Sequence, residues 1–96
     1  MSIRDTIRQN REKILAVAAK HGASNVRVFG SVSRGDETDA SDVDFLVVLQ
    51  PGRSLLDHAA LKVELEEFLD RPVDIATERG LKPKYRERII SEAVAI

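Results

Sequence analysis

The chain has 96 residues, 43% of them apolar and 32% charged, a balance that suits one small packed core and excludes a disordered chain. With no cysteine it has no disulfide, thiolate zinc site or cysteine nucleophile, and no apolar run approaches the roughly 18 residues of a membrane span. The net charge of −1 conceals opposed segments: seven basic and two acidic side chains in residues 1–35, three and twelve in 36–78, five and two in 79–96.

So acidic a middle is unlike the clustered Lys/Arg face of a DNA-binding domain, and no direct DNA binding is expected. The N-terminus alternates Arg with Ile and has no signal-peptide stretch, so a cytoplasmic, single-domain protein over 1–96 is the expectation.

Ser2-Ile3-Arg4-Asp5 is a helix-capping signature, and Ile3, Ile7, Ile14 and Ala18 recur at helical spacing. A helix is therefore predicted up to a stop at Gly22. Val26-Arg27-Val28-Phe29 reads as a strand running into Gly30, and the polar stretch Ser31–Ser41 as a short helical turn plus loop. Asp42 to Leu49 begins alternating and ends continuously apolar, which suits a central strand closed by Pro51-Gly52.

Ser54 caps a second helix to about Asp70, with Leu55, Ala59, Val63 and the Leu65/Phe68/Leu69 group expected inward. Arg71-Pro72 breaks it, and Val73-Asp74-Ile75-Ala76 reads as a third strand. Pro83 opens a last helix whose Tyr85, Ile89, Ile90, Ala93 and Val94 form an expected buried stripe. These faces are buried most simply by a small mixed sheet, an α/β (α+β) arrangement with helices packed on one face.

Three features bear on chemistry. Gly30-Ser31 with Arg34-Gly35 either is loop punctuation or cradles phosphate, because glycine admits close approach, serine donates and arginine is a cation. Asp42 and Asp44, at i and i+2 on a strand, project to one side. They either are solvated or share a hard divalent cation such as Mg²⁺. Asp74 lies between Val73 and Ile75, so it either joins that pair or meets Arg71.

No P-loop or dinucleotide fingerprint is present. Here D-x-D precedes its apolar run, the reverse of its placement in dehalogenase-like phosphatases and many glycosyltransferases. His21 and His58 lack ligand spacing and read as structural or solvent-facing.

Together, Gly30-Ser31-x-x-Arg34-Gly35, Ser41-Asp42-x-Asp44 and the later strand acid resemble the nucleotidyltransferase fold shared with DNA polymerase β. Within it the chain resembles the minimal nucleotidyltransferases. The resemblance implies that Asp42, Asp44 and Asp74 are catalytic and hold two Mg²⁺ ions, and that Gly30, Ser31 and Arg34 contact the triphosphate of ATP.

It further implies AMP transfer to a hydroxyl, with a tyrosine of a HEPN-family toxin as acceptor and an antitoxin role for the chain. Two alternatives stand beside this: an antitoxin acting by contact alone, and a catalytic subunit that modifies a small molecule. The sheet edge and the Ile-rich terminal helices each offer a homodimer surface.

Overall fold

A computed structural model describes residues 2–35 and 42–96. The loop expected over 36–41, with Ser41 of the motif, lies outside the described residues. Helix α1, Ile3–Gln9, is capped by Ser2, whose hydroxyl accepts from the Asp5 amide at 3.1 Å.

The helix expected to continue to Gly22 is interrupted at Asn10. Its side-chain amide donates back to the Thr6 carbonyl at 2.8 Å instead of capping the second helix, and α2 spans Arg11–Lys20. Ile3, Ile7, Ile14 and Ala18 are all buried, so one apolar face runs across the break.

Strand β1, Ala23–Phe29, starts three residues before the predicted one. Its register against the next strand shifts between Ser24 and Arg27, where Asn25 adopts φ 51°. This bulge hides the first half from an alternation test. A four-residue helical turn, α3 (Ser31–Arg34), comes next.

Strand β2, Val43–Leu49, is central: antiparallel to β1 and parallel to β3, Val73–Thr77, reached through the crossover helix α4, Leu55–Leu69. Helix α5, Pro83–Glu92, precedes a two-residue strand β4, Val94–Ala95, that pairs with β1 and completes the order β3-β2-β1-β4. The core joins α1, α2 and α4 to Val26, Val28, Val43, Phe45, Val47, Val73 and Ile75, one face of the sheet. Leu46, on the other face, is fully buried as well.

Two expectations are corrected. On α4 the buried residues are Leu61 and Leu65, whereas Leu55 is 83% and Val63 52% exposed, and Ala59 and Phe68 are also exposed. The reason is polar. His58 Nε2 donates to the Ile75 carbonyl at 2.8 Å, Lys62 Nζ to the Val73 carbonyl at 2.8 Å, and Glu66 accepts from the Val73 amide at 3.1 Å. That i, i+4, i+8 row faces the β3 backbone and turns Leu55, Ala59 and Val63 outward.

On α5 no residue is fully buried, and Tyr85 is exposed. The helix ends at Glu92 because Ala93 turns extended (φ −66°, ψ 139°), which carries Val94 into β4 rather than into a helical stripe.

Candidate functional site

Parallel pairing of β2 with β3 sets Asp44 directly beside Asp74. Each alternates with core residues, Val43 and Phe45 or Val73 and Ile75, so both carboxylates leave the sheet on the face turned from the core. Asp42 is exposed and immediately precedes β2. The carboxyl of Asp44 is raised from 3.8 to about 6, first by burial, then by the negative charges of Asp74 and Asp42 and a hydrogen bond with Asp74. The charge of Arg34 acts in the opposite direction.

Across β1, Phe29 pairs with Asp44, and the chain then turns at Gly30 with φ 72° and ψ −145°. A Cβ on Gly30 would fall 2.5 Å from Asp44 Oδ2, so only glycine fits between the turn and that carboxylate. Ser31 opens α3 and is partly buried, and Ser33 Oγ donates to the Gly30 carbonyl at 3.0 Å. The Arg34 amide bonds the Gly30 carbonyl at 3.2 Å, and its side chain is half-exposed. Gly30, Ser31 and Arg34 thus form one turn beside the Asp44–Asp74 pair.

One participant has no motif in the sequence to mark it. Glu92, the last residue of α5, accepts through Oε1 from the Gly30 amide at 3.1 Å, Ser33 Oγ at 3.4 Å and an Arg34 guanidinium nitrogen at 2.7 Å. Its only local signal is a carboxylate set among Ile89, Ile90 and Ala93. The histidines are structural: His21 meets Glu64 at 3.0 Å and His58 the Ile75 carbonyl.

The donor set suits a hard divalent cation, since it is all carboxylate oxygen and a dication would relieve the repulsion that raises Asp44. Among the described residues, however, no group of three or more acids, histidines or cysteines gathers closely enough to hold a metal. Asp44 and Asp74 form a two-carboxylate seat, with Asp42 in electrostatic range. A hollow of about 350 Å³ lined by Gln50, Arg53, Thr77 and Arg79 lies toward the other end of β2 and β3, away from this pair.

Residues 11–96 match the nucleotidyltransferase domain family. A Methanocaldococcus jannaschii protein named "Putative protein adenylyltransferase MJ0435" is 40% identical over 90 residues, covering 94% of this chain and 97% of that protein. The Thermococcus cleftensis protein adenylyltransferase MntA is 34% identical over 77 residues, covering 80% of this chain and 78% of its own.

Among solved structures, one named "Structure of putative minimal nucleotidyltransferase" superposes with a TM-score of 0.88 at 50% identity, covering 97% of this chain and 95% of that one. A toxin–antitoxin structure with AMP-PNP superposes at a TM-score of 0.77 and 22% identity, over 90% of this chain and 71% of that one, and shows a shared fold.

Proposed function

The chain belongs to the nucleotidyltransferase domain family, and from that premise we propose that it transfers AMP from ATP to a protein hydroxyl, a tyrosine of a HEPN-family toxin, and so acts as an antitoxin. The observation that carries this reading is the Asp44–Asp74 pair held in register beside the Gly30 turn. The adenylyltransferase names of its relatives support AMP as the transferred group, and the toxin–antitoxin neighbour supports the class of partner.

In this reading the acceptor oxygen bonds to the α-phosphorus of ATP, the bond from that phosphorus to pyrophosphate breaks, and the hydroxyl proton passes to Asp74. Asp42, Asp44 and Asp74 would hold two Mg²⁺ ions, which would lower the cost of the charge developing on phosphate and acceptor oxygens. Asp44 titrates near 6 and is ionised at neutral pH, as a ligand must be. Gly30 lets the phosphates approach the backbone, Ser31 donates through its hydroxyl, and Arg34 supplies the planar cation that pairs with phosphate oxygens.

The test is to mix the chain with its partner toxin, ATP and MgCl₂ and weigh the toxin. A gain of one or more AMP units, absent with Asp42→Asn/Asp44→Asn, is expected. An unchanged toxin mass would reject transfer. One observation favours contact as a second reading: Leu55, Leu56 and Val63 of α4 are exposed. In that case the double variant neutralises the toxin as well as the wild type does.

A further inference from the structure

We propose that Glu92 is a positioning residue of this site: its carboxylate clamps the Gly30–Arg34 turn and sets the Arg34 guanidinium for phosphate, an inference resting on the nucleotidyltransferase reading. One oxygen, Oε1, takes the Gly30 amide at 3.1 Å, the Ser33 hydroxyl at 3.4 Å and the Arg34 guanidinium at 2.7 Å. Because the same atom serves the peptide and the cation, the turn and the Arg34 head are fixed relative to each other.

Both need fixing. Glycine is the residue with the widest backbone freedom, and Gly30 lies so close to Asp44 that a Cβ there would meet its carboxylate. Arg34 is long and 53% exposed, so ordering its head costs rotamer entropy at the moment of binding unless a partner has already done so.

The carboxylate is itself anchored. Glu92 is 22% exposed, and two residues later Val94 pairs with Val28 of β1, the strand that leads into Gly30. The clamp therefore starts and ends on one strand, so loss of Glu92 loosens the turn without removing a core side chain.

The experiment uses the full chain as wild type, Glu92→Ala, Glu92→Gln and, as a control on the exposed side of the same helix, Glu87→Gln. Mg-ATP affinity is measured by calorimetry and hydrogen exchange of the Gly30 amide by NMR without nucleotide. Glu92→Ala is expected to weaken Mg-ATP binding by about tenfold, as loss of a charge-assisted contact does, and to accelerate Gly30 exchange. Glu92→Gln keeps an acceptor oxygen without the charge and falls between, while Glu87→Gln matches the wild type.

Affinity unchanged or tighter in Glu92→Ala overturns the proposal, and tighter binding would mean that the carboxylate competes with phosphate. Failure of the wild type itself to bind Mg-ATP strikes the nucleotide reading instead. The clamp is then judged on Gly30 exchange alone: acceleration upholds it and no change rejects it. If Glu92→Ala does not fold, Glu92→Gln carries the comparison.

Discussion

Asp44 holds its proton more tightly in the folded chain than in the unfolded one, because folding takes its carboxyl partly out of water and brings Asp74 and Asp42 near. The group's contribution to stability is fully present below 3.8 and is lost as pH rises through about 6. Asp44→Asn removes that penalty. Without divalent cations, the melting temperature of Asp44→Asn should therefore exceed that of the wild type by more at pH 7.5 than at pH 4.5. An equal gap at both would show that Asp44 titrates normally. Addition of MgCl₂ at pH 7.5 should raise the wild-type melting temperature and leave Asp44→Asn nearly unmoved, since a ligand stabilises only the state that binds it.

Gly30 is coupled to the same carboxyl. Gly30→Ala should cost about 1–3 kcal/mol, part for the positive φ and part for the contact with Asp44. In an Asp44→Ala background the cost should shrink, because the remaining Asp44 Cβ lies 3.7 Å away, an ordinary contact. Denaturant melts of the four proteins close the cycle. Equal costs in both backgrounds would show that the φ angle alone matters.

At the scale of elements, α4 separates what local rules decide from what neighbours decide. Its start was legible because a capping box is local: Ser54 Oγ accepts from Leu56 N at 3.2 Å and Asp57 accepts from Ser54 N at 3.0 Å. Its inward face was not, because His58, Lys62 and Glu66 satisfy the β3 backbone and polar residues thus take inward positions. Leu61→Ala should accordingly cost about 2–5 kcal/mol, whereas Leu55→Ala should stay within about 0.5 kcal/mol. Urea titration decides, and similar costs would restore the periodic reading.

The candidate site divides along the same line. The glycine turn, the D-x-D pair and Asp74 each arise from a strand pattern of a few residues. Glu92 does not, because 62 residues separate it from the Gly30 amide it binds. Strand β4 was illegible for a related reason: two residues carry no period, and only the open edge of β1 makes them a strand.

Over the whole molecule, that edge ties the C-terminal residues to β1 and to the start of α2. Arg11 Nε donates to the Ile96 carbonyl at 2.7 Å, and the Ile96 amide reaches the Val26 carbonyl at 3.4 Å. Val94→Pro, which removes a donor and stiffens the segment, should lower stability by about 1–2 kcal/mol and speed exchange along β1. Unchanged β1 exchange would make β4 an ornament of the sheet rather than a member.

The direct pairing of Asp44 with Asp74 also governs when the site comes into being. The bonds from Ser33 and Arg34 to the Gly30 carbonyl are local, but the carboxylate pair requires α4 to carry β3 beside β2. The segment between Asp44 and Asp74 is far longer than the turn, and bringing its ends together costs more chain entropy. A chain in which β3 has not docked therefore holds Asp44 without Asp74 beside it, and the proposed site is complete only once the parallel strand is in place.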